Sequence, residues 1–230
     1  MENAGRSADR GVCSLPRRQL VAGGAACAML RPALGATCNV PTDQKLTFQV
    51  SRNGSPIGVH CVAFSRSGAM LTAQINAAFK VGFGFITFYR YQHSGTEIWH
   101  GDQFQSLQTT TNDNGTLFHV QAERSVGGIH ISSSGKPDRI VSGNALPLTH
   151  WAIAAMTAPL FNPQTGETLR ETVRTVGQAN VMLASGRTIP ATGYALAGEA
   201  PIKDWFDEAG VWAALDAIGK DNSLISYRRI

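Results

Sequence analysis

Between Phe85 and Asp102 the sequence sets Tyr89, Arg90, Tyr91, His93, Glu97, Trp99 and His100 within one short stretch. These side chains can ligate a metal, move a proton or grip a ligand. A two-residue turn at Ser94-Gly95 would make the stretch a hairpin, with His93 facing Thr96, Tyr91 facing Ile98 and Tyr89 facing His100. Gln92 would face Glu97 and Arg90 would face Trp99, a cation over an indole ring. In that register His93 and His100 stand too far apart along one face to share an ion, even with His119 added, so no metal is expected. Arg90, His93, Glu97 and His100 form the candidate polar site.

Other reactive patterns are weaker. No G-x-S-x-G elbow occurs, and Gly82-Phe83-Gly84 lacks the third glycine of a dinucleotide loop because Thr87 stands there. Ser133-Ser134-Gly135-Lys136 reads as a turn, and Asp204, Asp207 and Glu208 belong to a hairpin tip better than to an acid and base pair. No catalytic residue and no cofactor is assigned. What remains is apolar surface: Phe79, Val81, Phe83 and Phe85 alternate with small residues. Phe83, Phe85, Tyr89, Tyr91, Trp99 and Trp151 are the candidate ligand wall, the alternative being an interior filled by side chains.

The elements that must carry these residues are strands. From Lys45 onward apolar and polar residues alternate in short runs broken by Asn53-Gly54, Ser67-Gly68, Ser94-Gly95 and Asn114-Gly115. One helix is expected over Leu148–Phe161, with Thr149 as its N-cap, lying on the concave face of the sheet. The predicted fold is all-β: a curled antiparallel sheet or half-barrel, a meander of hairpins with that one short helix. Residues 37–230 are expected to form a single domain.

Residues 1–36 read as a cleaved export leader: a basic stretch, Arg17-Arg18, an apolar run from Leu20 to Leu30, then small residues up to Ala36. The paired arginines resemble a twin-arginine signal, which implies a periplasmic, exported protein. The net charge of +4 is concentrated there, so no nucleic-acid partner is expected. No run of apolar residues is long enough to span a bilayer as a helix in the mature chain. Cys38 and Cys61 would remain after cleavage and are a candidate disulfide.

The residues Tyr89-Arg90-Tyr91-x-His93, Glu97-x-Trp99, Pro147-x-Thr149-His150-Trp151, Gln164-Thr165-Gly166 and Trp205-Phe206-Asp207-x-x-Gly210-x-Trp212 resemble a family of uncharacterised exported bacterial proteins, a domain of unknown function. The strand order is remotely similar to lipoprotein-carrier half-barrels, which implies a lipid-like ligand or a role in envelope assembly. The expected function is non-enzymatic binding of an apolar or lipid-like molecule, or of an envelope protein. The alternatives are an accessory subunit docking on a membrane or redox complex, and a periplasmic metal-dependent hydrolase using His93 and His100.

Overall fold

Asn-Gly pairs adopt positive φ without steric cost and turn with the twist of the strands they join. Asn53 and Gly54 take φ of 49° and 80°, and Asn114 and Gly115 take 52° and 99°, so both predicted turns form. The computed structural model describes residues 38–83, 86–170, 172–198, 201–219 and 221–230; the leader, 1–36, lies outside them. These residues belong to one compact unit, Gly35–Ile230.

Two meanders build the main sheet. The first runs β1 (Lys45–Arg52), β2 (Ser55–Ser67), β3 (Met70–Phe83), β4 (Ile86–His100), β5 (Gln103–Asp113), β6 (Thr116–Ser125), β7 (Gly128–Ser133) and β8 (Lys136–Val141). A connection follows, with β9 (Leu146–Pro147), a 3-10 turn over Ile153–Thr157, β10 (Leu160–Phe161) and β11 (Thr168–Leu169). The second meander is β12 (Thr172–Met182), β13 (Thr188–Ala197), β14 (Ile202–Asp207), β15 (Trp212–Ile218) and β16 (Leu224–Arg229). Among the described residues, thirteen strands form one antiparallel sheet in the order β12 to β16, then β1 to β8, with β9, β10 and β11 in a small sheet of their own. The meanders meet where β16 pairs with β1, Arg229 opposite Phe48 and Tyr227 opposite Val50.

The sheet is curled and not closed into a barrel, and its inner face is filled. Phe48, Phe64, Trp99, Leu107 and Ile131 from the first meander share one buried cluster with Leu196, Phe206 and Leu215 from the second. The connection covers them with Trp151, Met156, Leu160 and Phe161. Among the described residues, no helix is long and apolar enough to cross a membrane.

Three expectations are corrected. Ser94-Gly95 is not a turn: β4 runs unbroken, with Ser94 opposite Asn76 and Gly95 opposite Ile75, and the chain reverses at Gly101, φ 57°. Arg90 therefore does not face Trp99; the two lie on opposite faces of one strand, Arg90 exposed and Trp99 fully buried. The helix over Leu148–Phe161 shrinks to the 3-10 turn, because Pro159 inside the span has no N–H to give, the amides of Leu146 and Leu148 bond the Pro159 and Phe161 carbonyls instead, and Thr149 turns its hydroxyl to Glu97 rather than capping. No disulfide joins Cys38 to Cys61. Cys38 is a free thiol in the core cluster, whereas Cys61 alternates with inward His60 and Val62 on β2, so it faces outward, with its Sγ 4.0 Å from Thr47 Oγ1.

Candidate functional site

A strand exposes alternate residues to alternate faces, so the unbroken β4 carries Tyr89, Tyr91, His93, Gly95, Glu97 and Trp99 on its inner face. Phe88, Arg90, Gln92, Ser94 and His100 are exposed on the other. Cross-strand register then builds rows. His60 on β2, Ala77 on β3, His93 on β4 and Thr111 on β5 lie side by side, and the next row runs Ile75, Gly95 and Thr109. Ala77 is a small residue between the rings of His60 and His93, and above it the filled interior opens into a recess of about 70 Å³.

Gly95 has no slack: a Cβ there would meet Thr109 Cγ2 at 3.0 Å. The connection roofs the recess with Leu148, Thr149, His150 and Trp151, while Trp212 and Tyr227 close the side belonging to the second meander. Thr109 Oγ1 donates to the Pro163 carbonyl at 2.6 Å and fastens that roof to β5. The volume suits a few waters or one small group, well short of the roughly 300 Å³ at the lower end of ligand pockets.

Two buried carboxylates organise the polar side. Glu97, 1% exposed, accepts the indole N–H of Trp99 at 3.0 Å and of Trp151 at 3.1 Å, both on Oε2. Burial raises its carboxyl from the ordinary 4.5 to about 7, although hydrogen bonds from Trp99, Thr149 and Trp151 and the nearby His150 oppose the rise. Asp204, fully buried, accepts Trp212 Nε1 on Oδ1 at 3.0 Å. Its Oδ2 lies 2.9 Å from His150 Nδ1, which donates because a carboxylate can only accept. His150 also stacks on Trp212, ring centroids 5.4 Å apart.

The other imidazoles are held neutral. Burial, aided by His150 and His93, lowers His60 to about 3, and burial lowers His93 to about 4. His93 Nδ1 lies 2.8 Å from Thr111 Oγ1. Phe79 stacks on Tyr91 at 5.2 Å and meets Tyr227 edge-on at 5.9 Å, lining the recess with ring faces. Burial pushes the hydroxyls of Tyr91 and Tyr227 upward, so both stay protonated.

Of the expected site residues, the recess gathers Tyr91, His93, Glu97 and Trp151, with Trp99 behind Glu97. Tyr89 shares their face, farther along β4 and next to Asp113. Arg90 and His100 stand on the opposite face, as does His119, whose Nδ1 lies 3.1 Å from Thr110 Oγ1 on the exposed side. The hydrolase reading thus loses the pairing of His93 with His100. Phe85 and the side chain of Phe83 lie outside what is described. Among the described residues, no three His, Cys, Asp or Glu are arranged to hold a metal ion. His60, Asp204 and Tyr227 went unread as site residues. For Glu97 a signal existed: a carboxylate on the same alternation as Tyr91 and Trp99 is a charge in the core.

The fold and site define an all-β protein built on a curled, barrel-like sheet with a small aromatic recess inside it. The chain belongs to the family described as Domain of unknown function (DUF6134), whose model matches residues 48–230. A solved structure, the beta-barrel-like protein of Domain of Unknown Function DUF1849 from Brucella abortus, is similar at a TM-score of 0.56 and 10% identity. The likeness covers 81% of this chain and 94% of that one, and it shows the fold. No curated protein matches.

Proposed function

We propose that this is a non-enzymatic binding protein, exported to the bacterial periplasm through the leader of residues 1–36, which receives one end of an apolar-stemmed, lipid-like molecule. The observation that carries the reading is the recess itself: a hole left open beside Ala77 in an otherwise filled interior, walled by the rings of Phe79, Tyr91, Tyr227 and Trp212. Such a site grips by shape and ring contact. At about 70 Å³ it takes a head or a chain end, so the rest of the molecule must lie outside. The Arg17-Arg18 leader supports the periplasmic assignment.

The test is native mass spectrometry of the protein recovered from the periplasmic fraction of cells expressing the full chain, before and after organic extraction. A stoichiometric small-molecule excess that extraction removes is the expected result. A bare polypeptide mass overturns the reading, and retention in the cytoplasm with an intact leader overturns the location.

A further inference from the structure

Resting on that reading, we infer that the group seated in the recess is a cation, an alkylammonium held between the Glu97 carboxylate and the rings of Phe79, Tyr91 and Tyr227. The charge pattern is the first argument. Glu97 is buried, and the partners that hold it are neutral: the indoles of Trp99 and Trp151 and the hydroxyl of Thr149. Asp204 has His150 beside it, at 2.9 Å. Neither Lys nor Arg is among the residues lining the recess, and the imidazole nearest Glu97, His150, is bonded to Asp204 instead. An ammonium supplies the counter-charge that this carboxylate lacks.

The rings are the second argument, independent of the first. An aromatic face carries partial negative charge and attracts alkylated ammonium ions, most strongly out of water. Here three rings converge: Phe79 parallel to Tyr91 within 7°, and Tyr227 edge-on to Phe79; Trp212, already packed against His150 and Phe48, backs them. An anionic group would instead meet the Glu97 carboxylate and neither Lys nor Arg, and His60 and His93 resist protonation. The recess of about 70 Å³ suits one head group.

A cation at Glu97 favours its ionised form, so binding releases a proton below about pH 7 and tightens as pH rises from 6 to 8. The other titratable groups around it do not mask this. His60, His93, Tyr91 and Tyr227 stay neutral across that range and Cys38 is held at about 12; His150 and Asp204, 2.9 Å apart, are unchanged in Glu97→Gln, so the difference between the two proteins reports Glu97.

The experiment is calorimetric titration of the full chain with choline, with its uncharged isostere 3,3-dimethylbutan-1-ol, and with monomeric dodecylphosphocholine. Choline is expected to bind at least tenfold tighter than the isostere. Glu97→Gln should remove that preference and its pH dependence, so that choline and the isostere bind alike. Phe79→Leu, at a partly exposed position, should weaken choline more than the isostere and serves if Glu97→Gln fails to fold. Dodecylphosphocholine binding tighter than choline identifies a lipid head group as the source; equal or weaker binding identifies a free ammonium compound. An isostere that binds as tightly as choline overturns the cation but leaves the binding function standing. No binding by any of the three overturns the cation, and together with a bare native mass it removes the binding function as well.

Discussion

Trp151 donates its indole N–H to Glu97 at 3.1 Å across 54 residues of sequence, and that bond fastens the connection between the meanders onto the fourth strand. Trp151→Phe keeps the ring packed against Phe64 and Trp99 but removes the donor. Hydrogen bonds to charged or partly charged groups contribute about 1.5–3 kcal/mol. The variant is expected to lose about 2 kcal/mol in urea unfolding followed by far-ultraviolet circular dichroism.

The Glu97 carboxyl makes stability depend on pH. In the fold it is held at about 7 against an ordinary 4.5, so between those values the folded protein keeps a proton that the unfolded chain has released. Its contribution is complete below about pH 4.5 and is lost as pH rises through 7, a change of about 3 kcal/mol. His60 and His93 act in the opposite direction, costing stability as pH falls below 6.5. Glu97→Gln leaves both histidines in place. The stability difference between the variant and the natural protein is therefore expected to move by about 3 kcal/mol in the variant's favour from pH 4.5 to pH 8; a constant difference would refute the assignment.

Asp204 holds two partners at once, Trp212 Nε1 and His150 Nδ1. Asp204→Ala leaves Trp212 Nε1 with the Ala214 carbonyl alone and the half-buried His150 without its carboxylate, and is expected to cost about 2 kcal/mol. Asp204→Asn retains a carbonyl acceptor for the indole and should recover part of that loss. Chemical unfolding of the two variants side by side measures the difference.

Gly210 closes the tip between β14 and β15 at φ 70°, and a Cβ there would collide with the Asn39 side-chain amide. Gly210→Ala is expected to lose about 1–2 kcal/mol from the backbone alone. Adding Asn39→Ala should restore only the share due to the collision, as thermal unfolding would show.

Cys38 is buried and its thiol is pushed up to about 12, mainly by desolvation with Asp102 and Glu97 adding to it. It is expected to resist alkylation in the native protein and to react once urea unfolds the chain, with mass spectrometry of the labelled peptide as the readout. Rapid native labelling of Cys38 would contradict its place in the core.

Much of the fold was legible because its turns are chemical. Asn53-Gly54 and Asn114-Gly115 tolerate positive φ, and the Asp207 to Gly210 tip is tied by Asp207 Oδ1 accepting the amides of Ala209 and Val211. Ser94-Gly95 looked like another such pair, but that glycine serves to leave room under Thr109, a tertiary demand invisible to local spacing. Misplacing that one turn split the Tyr91, His93, Glu97, Trp99 stripe across two strands and brought Arg90 to Trp99. Alanine-rich Leu148–Phe161 has helical composition, yet its job is to lay Trp151, Leu160 and Phe161 over a curled sheet between two prolines. His150, Asp204 and Tyr227 meet only through the register of the second meander, and no sequence interval marks that meeting.

The seam between β16 and β1 adds an order of events. Each meander can zip locally, hairpin by hairpin, but Phe48 finds Arg229 only after nearly the whole chain has emerged. Glu97 belongs to the first meander and Trp212 and Tyr227 to the second, so the recess straddles the seam. The recess is thus the last part of the molecule to exist, and whether it has formed reports that the chain has closed its seam.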